Sequence, residues 1–239
     1  MSYPERIIPA ETSAGILAIH LKRYEFALQW CRDAEVLDAG CGVGYGTAFI
    51  APHARRVVGV DRSEEALTVA RAHYTRPNAQ FVRADVLELP FDAASFDTVC
   101  AFETIEHLDD PGRFVREAAR VLRPDATLLV STPRAKRTIR TPTNPFHRIE
   151  LAATDFERVL REEFEEVVLY GQRRSQTRRH RLAQRLDVLG LRRRLPPSRV
   201  VGRMLGTAAT AHVSLEEILI DRDLEHATDL LAVCTRARR

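Results

Sequence analysis

An apolar strand that runs into alternating glycines, followed by a second strand ending in an acid, restricts this chain more than any other feature. Residues 36–47 read Val-Leu-Asp-Ala-Gly-Cys-Gly-Val-Gly-Tyr-Gly-Thr, and Val58-Gly59-Val60-Asp61 comes after them. Glycine lets the backbone turn tightly and approach a bound molecule, and an acid closing the next strand suits a ribose diol. The pattern therefore expects an α/β sheet with a nucleoside at the carboxyl ends of its strands. A dinucleotide does not suit the spacing: its loop is Gly-x-Gly-x-x-Gly, with a diphosphate on the helix N-terminus. Here the glycines alternate, and Asp38 just before them would repel a diphosphate and favour a cationic ligand.

Strand and helix signals alternate along the rest of the chain. Apolar residues at helical spacing predict a helix over 13–30, before a strand at 35–38. Ser63-Glu64-Glu65-Ala66 is a helix start with acids in its first turn, and Arg76-Pro77-Asn78 stops that helix after about Tyr74. Strands at 79–83, 98–102 and 127–131, with a helix at 111–122, complete a mostly parallel sheet with helices on both faces. A chain of 239 residues with 45% hydrophobic content is long enough for one such domain over 1–239, including an N-terminal helical cap over 1–33.

Three later segments fall in a telling order. Ala84-Asp85-Val86 follows the third strand, Phe96-Asp97-Thr98-Val99-Cys100 forms the fourth, and Leu122-Arg123-Pro124 turns into the fifth. With the acid-x-Gly-x-Gly-x-Gly loop they resemble the class I S-adenosylmethionine-dependent methyltransferases. The resemblance implies a doubly wound, Rossmann-like, seven-stranded sheet with an antiparallel last strand. It also implies a methyl-donor site at Asp38, Gly40, Cys41, Gly42, Gly44, Asp61, Arg62, Asp85, Val86 and Phe102, with Asp61 on the ribose and the acid after strand three on the adenine amino group. In one place the chain departs from the family: Asp125 and Ala126 stand where the turn into the fifth strand usually has two glycines.

The acceptor side is signalled by Glu103, Glu106 and His107, at i, i+3 and i+4, which a helical turn projects to one side. Such a trio suits a divalent ion. It equally suits acids favoured by a helix N-terminus beside a packed imidazole. Glu-x-x-Glu-His resembles the ligand set of metal-dependent O-methyltransferases, the small-RNA 2′-O-methyltransferases and ubiquinone-pathway enzymes among them, and that resemblance implies His147 as a fourth ligand. Two imidazoles favour manganese or iron, while family habit favours magnesium. Glu106, His107 and His147 are also the candidate catalytic residues, His107 or His147 serving as general base if no metal binds.

Glu5-Arg6-Ile7-Ile8-Pro9, Ser131-Thr132-Pro133, Thr141-Pro142-Thr143-Asn144-Pro145-Phe146-His147 and Asp229-Leu230-Leu231-Ala232-Val233 resemble bacterial methyltransferases of polysaccharide and glycolipid assembly, including the mycobacterial sugar 1-O-methyltransferases of methylmannose polysaccharide synthesis. A sugar or oligosaccharide hydroxyl is the acceptor that resemblance implies. An RNA ribose, a quinone-type small molecule and a non-catalytic donor-binding role are the competing readings.

Charge gives no argument for nucleic acid: 36 basic and 33 acidic residues leave a net of only +3, so no DNA partner is expected and RNA has little support. The basic residues are nonetheless uneven, crowding between Arg173 and Arg203 in an expected insertion or lid over 172–212 after a sixth strand at 166–170. Its apolar side, Leu182, Leu186, Val188, Leu189 and Leu191, suits an acceptor pocket, a homodimer contact or an anionic membrane surface, and the stretch equally suits a solvated helical connector. Four scattered cysteines without a Cys-x-x-Cys pair suggest neither disulfides nor a thiolate metal site. Neither a signal peptide nor a membrane span is apparent, so a cytoplasmic protein is expected.

Overall fold

The computed structural model describes residues 6–175 and 215–238. Helix α1 (Ala14–Cys31) leads into β1 (Glu35–Ala39), followed by α2 (Tyr45–Ile50), β2 (Arg56–Asp61), α3 (Glu64–His73), β3 (Ala79–Arg83), β4 (Phe96–Phe102) and α4 (Pro111–Val121). Then come β5 (Leu122–Pro133), α5 (Ala153–Arg161), β6 (Phe164–Arg174), β7 (Ile218–Asp221) and β8 (Asp229–Ala237). One sheet holds all the strands in the order β3-β2-β1-β4-β5-β8-β6-β7. Pairing is parallel from β3 through β5 and antiparallel where β8 enters between β5 and β6.

The sheet has eight strands, which corrects the expected seven. The antiparallel last strand is present as β8, and the additional strand is β7, paired antiparallel to the end of β6. Edge strands need cover and anchorage. Here Ile218 is buried beside Ala18 of α1, and Arg173 of β6 clasps Asp221 through two hydrogen bonds of 2.8 and 2.7 Å. Most of the proposed insertion over 172–212 lies outside the described residues, as does Glu5.

Centrality explains why β1 reads as an unbroken apolar run: Val36, Leu37 and Ala39 are fully buried between β2 and β4, with helices above and below. Ser63 caps α3 by accepting from the Ala66 N–H at 3.2 Å, as its position before two glutamates predicts. Helices α2 and α5 were not expected. The first is a six-residue turn hidden in the glycine loop, and the second buries Phe156 and Leu160, four residues apart, against the sheet. Asp125, standing in for a glycine, adopts φ +61, so the chain keeps the left-handed turn that short polar side chains tolerate. The carboxyl ends of β1, β2, β3 and β4 reach the same edge, where an α/β sheet presents its ligand site.

Candidate active site

A cavity of about 940 Å³ opens at that edge, within the size range of small-molecule sites. It is lined by Gly40, Cys41 and Gly42 after β1, Asp61 and Arg62 after β2, Asp85 and Val86 after β3, and Phe102 at the end of β4. Glu103, Glu106, His107 and His147 line the same cavity. Eight of the ten residues expected around the methyl donor therefore meet in one place, together with the whole expected acceptor cluster.

Two expected donor-site residues do not line the cavity. Asp38 is 1% exposed, its carboxylate turned toward the helices, where it accepts from Tyr24 Oη at 3.1 Å and Thr47 Oγ1 at 2.6 Å. Burial pushes it up to about 6 despite those two bonds. It braces the loop from beneath and does not touch the ligand space. Gly44 is likewise structural, because a Cβ there would lie 2.7 Å from the Phe81 ring and 2.8 Å from Ala70.

The two remaining turn glycines divide the work. At Gly40, with φ +83, a Cβ would strike Thr104 Oγ1 at 2.3 Å, so this glycine permits the loop to pack on the segment after β4. At Gly42 a Cβ would meet nothing within 4 Å, which leaves open space for a ligand against the backbone. The Gly42 N–H donates to Asp61 Oδ2 at 3.0 Å, and the Ser63 N–H to Oδ1 at 2.8 Å. Asp61 is thereby fixed at the mouth of the loop, with lone pairs remaining for hydroxyl donors.

Glu106 sits in a 3-10 turn, Ile105–His107, immediately beyond β4. Its backbone carbonyl accepts from the Arg148 and Ile149 N–H groups at 2.7 and 3.2 Å, so the two acceptor-side segments are stitched together at this residue. Its carboxylate is 1% exposed, and neither oxygen has a hydrogen-bond partner among the described residues. Burial, reinforced by Glu103, raises its pKa well above the ordinary carboxylate range. An unpartnered buried carboxylate is costly and calls for a ligand.

Two imidazoles stand beside it. One ligand atom each from Glu106, His107 and His147 lie within 4.8 Å of one another, and the two rings meet edge to face at 5.0 Å. His107 Nδ1 is 2.8 Å from the Phe146 carbonyl, which only accepts, so the proton is on Nδ1 and the lone pair on Nε2. His147 is held at both ring nitrogens: Nδ1 donates to Glu150 Oε1 at 3.0 Å and Nε2 accepts from Asn144 Nδ2 at 2.9 Å, a bond that an ion at Nε2 would displace. The Asn144 amide is oriented by the Phe146 N–H, which donates to Oδ1 at 3.1 Å. A carboxylate or carbonyl behind each ring is the arrangement that fixes imidazole ligands of metals.

Glu103 lines the same cavity but turns elsewhere. Its Oε1 accepts from Ser131 Oγ at 2.9 Å and lies 3.4 Å from the guanidinium of Arg23. The expected four-ligand set is therefore three side chains, Glu106, His107 and His147, with Glu103 committed to an arginine. Burial, opposed by Arg23, brings Glu103 up to about 7.

Arg23, His20, Tyr24 and Tyr45 were missed at the sequence level. Arg23, 1% exposed, falls with Tyr24, Ala27 and Cys31 on the buried stripe of α1, and an arginine on an apolar stripe was the available signal.

Residues 37–130 match the family described as a methyltransferase domain. A "probable S-adenosylmethionine-dependent methyltransferase" of Mycobacterium tuberculosis is 36% identical over 231 residues, covering 91% of this chain and 82% of its own. A ubiquinone biosynthesis O-methyltransferase of Coxiella burnetii is 36% identical over 99 residues, 41% of this chain and 42% of its own. Among solved structures, a Thermotoga maritima S-adenosylmethionine-dependent methyltransferase, described as a possible histamine N-methyltransferase, superimposes with a TM-score of 0.62 at 15% identity over 92% of each chain. At that identity the likeness speaks for the fold alone.

Proposed function

This chain belongs to the S-adenosylmethionine-dependent methyltransferases, and from that premise we propose that its acceptor is a sugar or oligosaccharide hydroxyl, methylated on oxygen with the help of a divalent cation. The observation that carries the reading is the unpartnered carboxylate of Glu106 beside His107 and His147. A carboxylate with two imidazoles suits manganese or iron better than magnesium, which prefers oxygen ligands. Such an ion, held by Glu106, His107 and His147, supplies Lewis acidity that orients a hydroxyl and lowers its pKa.

The chain's own residues supply the rest. Asp61 accepts from the ribose of the methyl donor, Gly42 gives close approach to its backbone, and Val86 and Phe102 offer apolar contact. His107 or His147 takes the hydroxyl proton if the ion is absent. Methyl transfer is an in-line displacement, so the walls mainly align acceptor oxygen and methyl carbon and keep water out.

The test is a methylation assay with labelled donor across monosaccharides and oligosaccharides, with manganese, with magnesium and with chelator. The reading expects methyl ethers on sugars and loss of activity with chelator. Methylation of an RNA 3′ end or a catechol with none on any sugar overturns the acceptor, and full activity in chelator overturns the ion.

A further inference from the structure

Residues 144–150 orient both imidazoles of the acceptor cluster, and Asn144 does part of that work from the front. The run Asn144-Pro145-Phe146 folds as asparagine favours, its side-chain oxygen taking the N–H two residues on, here that of Phe146 at 3.1 Å. The Phe146 carbonyl accepts from His107 Nδ1 at 2.8 Å. The His147 N–H closes the turn on the Asn144 carbonyl at 3.2 Å, and the Arg148 and Ile149 N–H groups anchor its far side on the Glu106 carbonyl.

These bonds decide which atom of Asn144 meets His147. A backbone N–H only donates, so the amide oxygen is the atom turned to Phe146, and the NH2 is the one 2.9 Å from His147 Nε2. A carboxylate only accepts, so Glu150 Oε1 at 3.0 Å keeps the ring proton on Nδ1. The Nε2 lone pair therefore accepts from the Asn144 amide. An imidazole binds a metal through that same lone pair, and one lone pair serves one partner. Amide and cation compete for it. The ligands of the cluster are thereby unequal: both Glu106 oxygens lack a hydrogen-bond partner among the described residues, whereas His147 is covered by a neighbour that lines the same cavity.

We infer that Asn144 is a positioning residue that acts through His147: its amide holds the Nε2 lone pair and yields it to the cation, so Asn144 sets how tightly the cation is bound. The apparent affinity is the intrinsic one reduced by the fraction of protein in which the amide has let go. The bond is between neutral groups, so that reduction amounts to about twofold to tenfold. Magnesium, which prefers oxygen and draws little on an imidazole, escapes most of it. The inference rests on the ion reading above and adds to it the residue that tunes the site.

The test titrates manganese and magnesium calorimetrically into ion-free wild type, Asn144→Ala, Asn144→Asp and Glu106→Gln. Asn144→Asp keeps the oxygen that the Phe146 N–H requires, and so keeps the turn while removing the donor to Nε2. Manganese should bind Asn144→Ala about twofold to tenfold more tightly than wild type, and Asn144→Asp more tightly still, because the new carboxylate adds charge beside the cation. Magnesium should change by less than about twofold in Asn144→Ala. Before any ion is added, the nitrogen NMR resonance of His147 Nε2 should shift in both Asn144 variants while that of Nδ1 stays, a signature that loosening of the loop would not give. Manganese affinity unchanged or weakened in Asn144→Ala overturns the role of Asn144, and so do equal gains for manganese and magnesium. The two readings fail separately. Manganese binding that Glu106→Gln abolishes, with no gain in Asn144→Ala, keeps the ion and removes Asn144; manganese bound equally by Glu106→Gln and wild type, or by none of the four proteins, overturns the ion site and the inference with it.

Discussion

Arg23 Nη2 lies 3.4 Å from Glu103 Oε1 and 3.1 Å from Asp229 Oδ1, with the arginine side chain 1% exposed. One buried guanidinium thus joins α1 to the segment after β4 and to the start of β8. Glu103 needs that hold, since it is a non-glycine residue at φ +54. Removing one partner of a buried pair strands the others' charge and costs about 3–5 kcal/mol. Arg23→Leu should therefore lower unfolding free energy by about that much in urea titrations, and adding Glu103→Gln should recover part of it. Equal destabilisation in the single and double variants would mean the pair contributes only packing.

Asp61 and the glycine loop separate binding from folding. Asp61→Ala removes a charged acceptor for ribose hydroxyls, and bonds to charged groups are each worth about 1.5–3 kcal/mol, so S-adenosylhomocysteine should bind about tenfold to a hundredfold more weakly. Gly40→Ala, by contrast, drives a Cβ to 2.3 Å from Thr104 Oγ1 and should lower the thermal midpoint sharply. Calorimetric affinity and melting curves on both variants check the division.

Glu106 trades stability for function. Its carboxylate is buried without hydrogen bonds, so Glu106→Gln should leave ion-free protein as stable or more so, a gain of about 1 kcal/mol appearing as about 2–4 °C in melting temperature for a chain of this size. Manganese should raise the melting temperature of the wild type and no longer that of the variant. A variant that loses stability and still responds to manganese would make Glu106 an ordinary core acid.

The sheet core was legible because its signals are local. The glycine run, the acid closing β2 and the capped start at Ser63 each declare themselves within a few residues. The Glu106–His107 step was legible too, since neighbours on one turn share a side, and His147 followed from family resemblance. What could not be read was which way a side chain leaves a central strand: Asp38 stands in the glycine motif yet turns toward Tyr24 and Thr47. Nor was the fate of Glu103 visible, because its partner Arg23 is 80 residues away in sequence and meets it only when α1 packs on the sheet. The segments at 214–220 and 228–235 were expected to close the sheet; what the sequence did not show is that Ile218–Asp221 pairs as a separate strand on the edge of β6, which brings the total to eight.

His20 supplies the pH dependence. It lines the cavity, and its Nδ1 faces Arg23 Nη1 at 3.4 Å; a guanidinium only donates, so Nδ1 must stay unprotonated. Burial first, and Arg23 second, lower its pKa to about 3. An unfolded histidine titrates near 6.5, so between those values the unfolded chain binds a proton that the folded chain refuses. Stability from the neutral ring is complete above about pH 6.5 and is lost as pH falls toward 3. Asp38 and Glu103, pushed up to about 6 and about 7, act in the opposite sense, their contributions fading as pH rises. The wild-type curve mixes these with Glu106, which burial also raises, so the informative quantity is its difference from His20→Gln. Between pH 7.5 and pH 5 the wild type should lose about 2 kcal/mol more than the variant in urea titrations, following 1.36 kcal/mol per unit. Parallel curves would show that the folded protein admits a proton at His20, and that Arg23 does not hold the ring neutral.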